Sequence, residues 1–132
     1  MKKFVDSIKS RPINIVLMFT VVFLYLLNNN VIKIYSKGLW HVFFVCYFND
    51  AMCPLFFLAY CNFLLLTSRR EITSLKVVLI VITCSGFVWE FIGPFIKKSS
   101  VTDYMDLVCY EVGAIIYWSL LRLMRIFNDR NN

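Results

Sequence analysis

Long apolar runs alternate with short polar and basic intervals along most of the chain. The first run extends from Pro12 to Leu27 and stops at Asn28-Asn29-Asn30, which predicts a helix over about 12–28. A second, over about 51–67, follows a separate apolar patch, Leu39 to Phe48. A third covers about 72–96 and ends at Gly93-Pro94 and Lys97-Lys98. A fourth covers about 103–123, with Ser100 and Thr102 as N-cap candidates and Asp103 and Asp106 suited to the positive end of a helix dipole. A helix needs about 20 residues to cross a hydrocarbon core of about 30 Å. Four of these runs approach that length. The patch at 39–48 is too short, and Asn49-Asp50 and Pro54 interrupt its continuation. It is therefore expected to be a short interfacial helix, with Tyr35 and Trp40 at headgroup level. Whether it joins the second span is left open by the pattern. The expected fold is an all-α integral membrane helical bundle in one transmembrane domain, with no internal repeat.

Composition agrees with that reading. Apolar residues make up 60% of the 132, charged residues 17%, and the mean hydropathy is +0.70. Soluble domains carry about 45–50% apolar residues and spread their charges over the surface. Here the charges gather between the runs. The net charge of +6 forms no basic stripe of the kind that tracks nucleic acid, so nucleic-acid binding is not expected. The five cysteines fall inside apolar runs without a C-x-x-C pair, which argues against a disulfide framework or a zinc site. They are expected to be small buried apolar residues. The first run lacks the small-residue cleavage site of a signal peptide, so an uncleaved anchor is expected.

Basic residues set the expected orientation. Lys2, Lys3, Lys9, Arg11, Arg69, Arg70, Lys76, Arg122, Arg125 and Arg130 belong to one side, and Lys33, Lys37, Lys97 and Lys98 to the other. Ten against four places both termini in the cytoplasm.

The acids are distributed differently. Asp50, Glu90, Asp103, Asp106 and Glu111 all belong to the half opposite the predicted cytoplasmic side. Glu90 lies 14 residues beyond Lys76, or roughly 20 Å along a helix, which puts it about 10 Å below the outer boundary. Glu111 lies eight residues past Asp103, about 12 Å deep. A charged side chain at such depth costs about 2.5–3.5 kcal/mol on insertion scales, so function is the default explanation. Thr83, Gly86, Glu90, Gly93 and Lys97 recur on one helical face, and small residues there favour close helix approach. Asp103, Asp106, Tyr110, Gly113 and Tyr117 form a matching stripe. Glu111 lies off that line, toward a different neighbour. The residues point to an acidic pocket open to the outer face, with His41, Asn49 and Asp50 near its mouth.

The stretch WEFIGPFIKKSSVTDYMDLVCYEVGAIIYW resembles the VanZ-like family of small bacterial membrane proteins. The family's acid, basic loop residue, D-x-x-D and later Gly look like Glu90, Lys97 or Lys98, Asp103, Asp106 and Gly113. Tyr110 stands where the family has Asn, and Lys where its loop has Arg. The resemblance covers about a third of the chain. It implies a multi-pass protein of the bacterial inner membrane, of a family linked to glycopeptide (teicoplanin) resistance, and it names no substrate.

No catalytic signature such as G-x-S-x-G, H-E-x-x-H or a phosphate loop is present, and the single histidine precludes a multi-histidine metal site. The leading expectation is therefore a non-enzymatic envelope protein without a cofactor. Its pocket (Glu90, Asp103, Asp106, Tyr110, Glu111, Asp50, His41, Lys97 and Lys98) would engage a lipid headgroup, a cationic amphiphile or a membrane-protein partner. Two alternatives stay open. One is an enzyme acting on outer-leaflet lipids, with a divalent cation on the carboxylates. The other is proton- or ion-coupled transport, against which no acid continues the path beyond Asn62 in the cytoplasmic half.

Reporter fusions test the orientation: Asn30 and Ser99 are expected to read outside, Ser68 and Asn132 inside. An outside signal at Ser68 or Asn132 would refute four crossings with cytoplasmic termini.

Overall fold

The computed structural model describes residues 2–68, 70–96 and 104–130. Helix α1 begins as Lys2–Leu27, continues through a π-helical turn at Asn28–Ile32 and ends with Lys33–Tyr35. Helix α2 comprises Leu39–Val42, a π-helical turn at Phe43–Tyr47 and Phe48–Leu65, with a 3-10 turn at Leu66–Ser68. Helices α3 (Leu75–Ile96) and α4 (Tyr104–Arg130) complete the bundle. No strand occurs among the described residues. Four helices there are long and apolar enough to cross a membrane, so the chain is a multi-pass, all-α membrane protein.

The second span differs from expectation. Residues 39–48 do not form a separate interfacial helix but are the first part of α2, so the continuous apolar helix is Leu39–Leu65. The three residues that look like breakers are each accommodated. Asn49 is bonded across to α1, accepting from Asn28 Nδ2 at 2.9 Å and donating to Asn29 Oδ1 at 3.2 Å. Asp50 lies within the same continuous helix, and Pro54 is buried against α4.

The two π turns face one another, and one side chain links them. At Phe43–Tyr47 the Phe48 N–H bonds the Phe43 carbonyl, five residues back, instead of Phe44's. The Phe44 carbonyl thereby loses its ordinary helical donor, and Asn28 Nδ2 supplies one at 2.9 Å. An orphan backbone carbonyl in lipid would cost several kcal/mol, so the fully buried Asn28 makes the distortion tolerable. Gly38, at φ 65°, turns the chain between α1 and α2 in a conformation that favours glycine.

The principal helix contacts run in the order α1–α2–α4–α3, with α4 between α2 and α3. The buried face of α4 carries Tyr110, Gly113, Ala114, Tyr117 and Leu121 at three- and four-residue spacing. It meets Leu55, Leu58 and Ala59 of α2 and Val78 and Ile82 of α3, while Leu17 and Val21 extend the core into α1. As the short connection predicts, α3 and α4 pack antiparallel, with Gly86 against Leu107 and Tyr110. Outward side chains such as Phe19, Phe23, Ile80, Phe91 and Phe95 are exposed, the surface expected of a bundle solvated by lipid. Three of the cysteines, Cys46, Cys53 and Cys84, also lie on that surface instead of in the core.

Among the described glycines, the closest crossing is at Gly113. A Cβ there would lie 2.2 Å from the Ala51 carbonyl oxygen and 2.5 Å from Pro54 Cγ. At Gly86 the nearest atoms are side-chain carbons of Leu107 and Tyr110, at 2.9 and 3.0 Å. Helix propensity alone would favour alanine at both by about 1 kcal/mol. Overpacking should reverse that sign at Gly113, where a backbone atom blocks the way. Gly113→Ala is expected to destabilise by about 3 kcal/mol, and Gly86→Ala by clearly less. Denaturant unfolding of the two variants in micelles measures the difference, and equal costs would contradict the close crossing.

Candidate functional site

Toward the end of the bundle where α4 begins, polar groups from three helices converge on the Tyr110 phenol. Glu90, on α3, is only 7% exposed, and its Oε1 accepts a long hydrogen bond of 3.4 Å from the Tyr110 hydroxyl. Asp50 on α2 and Asp106 on α4 also interact electrostatically with Tyr110. Both are half-buried, so the site has a deep carboxylate and two shallower ones. None of the three carboxylates lacks a partner. The geometry follows from spacing: Asp106 and Tyr110 are one helical turn apart on one face of α4. Gly86, one turn from Glu90 on α3, lets that face approach.

Helical-face reasoning thus locates Glu90, Asp106, Tyr110 and Asp50 together, and other expected members elsewhere. Glu111 does not join the cluster, and it faces α3, whereas Gly113 and Tyr117 of the α4 stripe face α2. It accepts a hydrogen bond from Thr83 of the same α3, two turns below Glu90. The reason is antiparallel register. Position 110 lies level with Gly86, so Tyr110 reaches up toward Glu90 while Glu111 pairs one turn below. His41 is exposed on the first turn of α2 and pairs with Ser36 through Nδ1 at 3.0 Å, nine residues before Asp50 and about 13 Å along the helix. It belongs to the inter-helix turn. Asp103, Lys97 and Lys98 lie outside the described residues, as do the contacts of Gly93. Among the described residues no three His, Cys, Asp or Glu side chains converge as a metal-binding group.

A second polar centre lies where α2 leads on to α3. The Tyr117 hydroxyl accepts from Asn62 Nδ2 at 2.7 Å and donates to Asn14 Oδ1 at 2.9 Å. Asn62 also donates to the Ile72 carbonyl at 3.1 Å and accepts from the Ile72 N–H at 2.7 Å. One buried phenol therefore joins α1, α2 and α4, and one amide holds the connection to α3. Asn62 stands out in the sequence as a lone polar residue in an apolar run, and Tyr117 belongs to the α4 stripe. Asn14 carries no comparable signal because its partner is 103 positions away. Beside this network, Arg125 pairs with Glu71 at 2.5 Å, and the Trp118 indole donates to the Thr73 carbonyl at 3.1 Å. Tyr110 and Tyr117 are two helical turns apart, about 10 Å. Gly113 and the fully buried Ala114 lie between them, at the tight crossing with Ala51 and Pro54.

Tyr117→Phe tests the lower network, because it removes one oxygen and leaves the ring's packing intact. Asn62 loses an acceptor and Asn14 a donor where no water replaces them. The expected cost is about 1–2 kcal/mol. Chemical unfolding in micelles measures it, and an unchanged midpoint would show that the amides find other partners.

Compared with family models, curated proteins and solved structures, the chain matches none of them.

Proposed function

We propose that this multi-pass membrane protein binds a cationic group at the Tyr110-centred site. The group would be carried by a lipid headgroup, an amphiphile or a membrane partner. In this reading the site opens to the outer face of a bacterial cytoplasmic membrane, both termini are cytoplasmic, and the protein serves the cell envelope. One observation carries the proposal: Glu90 accepts a hydrogen bond from the Tyr110 phenol, and Asp50 and Asp106, from two further helices, lie within electrostatic reach of the same phenol. Helix capping would need acids on α4 alone. A carboxylate as buried as Glu90 is costly in a membrane unless a hydrogen bond or a counter-charge compensates. Binding needs no catalytic base or nucleophile, in keeping with the absence of any catalytic motif from the sequence. The basic asymmetry supports the orientation, and the VanZ-like spacing of Glu90, Asp106 and Gly113 supports the envelope role. Coupled transport is disfavoured by the close crossing at Gly113, which separates the acidic cluster from the Asn14–Tyr117–Asn62 network.

Glu90→Gln and Asp106→Asn remove charge while keeping size and hydrogen-bonding capacity. Each is expected to weaken binding of an alkyltrimethylammonium amphiphile to the protein in nanodiscs by about tenfold, what a loss of 1.4 kcal/mol produces. Expression and topology should be unchanged. Glycopeptide susceptibility of cells carrying the same variants tests the envelope role. Wild-type binding by the double amide variant would leave only packing and capping for these residues.

A further inference from the structure

The opposite end of the bundle carries a cleft whose chemistry is the reverse of the acidic site's. A cleft of about 220 Å³ opens between the start of α3 and the last turns of α4, lined by Thr73, Trp118, Leu121, Arg122 and Arg125. At about 30 Å³ per water, it has room for a phosphate group with several waters.

The arginines are held in different ways. Arg125 is tied by Nη2 to Glu71 at 2.5 Å, while its Nε is buried without a hydrogen-bond partner. The Arg122 guanidinium lies over the Trp118 ring, 5.2 Å from its centroid. That ring is itself fixed by its hydrogen bond to the Thr73 carbonyl. A guanidinium held over an aromatic ring keeps its N–H donors available for a two-pronged bond to an oxyanion. The start of α3, beside Thr73, adds the positive end of a helix dipole.

Charge selects the ligand further. Arg122, Arg125 and Glu71 together carry one net positive charge, the complement of a phosphodiester's single negative charge. The surroundings then indicate what carries the phosphate. Val77 and Ile80 on α3, and Ile115 and Ile126 on α4, are large exposed apolar side chains of the two helices that carry the cleft. A free ion gains nothing from such a surface, whereas acyl chains lie against it. Basic clefts between membrane helices with a tryptophan at headgroup level suit anionic lipid.

We propose that the Arg122–Arg125 cleft binds the phosphodiester of an anionic phospholipid headgroup, with Arg122 as the principal contact and Trp118 as the residue that positions it. This site is independent of the acidic one, and its test is independent as well.

Delipidated protein in a non-ionic detergent, titrated with short-chain phosphatidylglycerol and followed by native mass spectrometry, should retain one lipid. Arg122→Gln should reduce the affinity roughly tenfold, the share of a charge-assisted hydrogen-bond pair. Arg122→Lys, which keeps the charge but loses the planar fork, should fall between them. Arg122 is exposed, so both variants should unfold at the wild-type midpoint. Phosphatidylcholine, whose choline cancels the phosphate charge, should bind more weakly than phosphatidylglycerol. Inorganic phosphate should fail to displace the lipid at equal concentration. Equal affinity in wild type and both variants would overturn the proposal. Displacement by inorganic phosphate would overturn the lipid assignment and leave a free-phosphate site.

Discussion

The arrangement depends most on the approach of α4 to α2 at Gly113, where any side chain would overlap the Ala51 carbonyl oxygen. In lipid, apolar side chains gain little by leaving one hydrocarbon surface for another, so helices associate through close packing and interhelical polar contacts. The missing side chain at 113 brings two backbones together and sets the rotation of α4. That rotation turns Tyr110 toward Glu90 and Tyr117 toward Asn14 and Asn62. Both polar centres thus follow from one contact.

Around this crossing asparagines and tyrosines supply hydrogen bonds between the buried parts of the helices. Asn14, Asn28 and Asn62 are each fully buried, and each reaches a different helix or the backbone of a different segment. Asn28 completes a carbonyl left unpaired by a π turn, and Asn62 holds both backbone groups of Ile72. With no water to compete, these amides fix the register of α1 against α2 and of the connection into α3. They act as structural ties. The carboxylate of Glu90, whose hydrogen bond from Tyr110 is long, stands apart from them.

The two ends of the bundle are chemically opposite. One holds Asp50, Glu90 and Asp106 within electrostatic reach of a phenol, and the other presents Arg122 over a tryptophan beside Arg125, which Glu71 neutralises. A chain with a net charge of +6 has few acids to spare, so placing three at one end makes the polarity steeper than the total charge suggests.

Much of this is legible before any coordinates. Length and apolarity alone require membrane-spanning helices, because only hydrogen-bonded helices bury such runs without orphaned backbone groups. Helical spacing brings Glu90 and Tyr110 to facing stripes, since antiparallel neighbours joined by a short loop have little freedom of register. Three matters needed the tertiary structure. The continuity of α2 through Asn49, Asp50 and Pro54 depends on partners in α1 and α4, which local pattern cannot reveal. The separation of Glu111 from Glu90 depends on which way each side chain leaves its helix at a given level, and a depth count along the chain ignores that. The union of Asn14, Asn62 and Tyr117 depends on contacts across 103 and 55 positions. Periodicity describes one helix at a time. Only packing decides which faces meet.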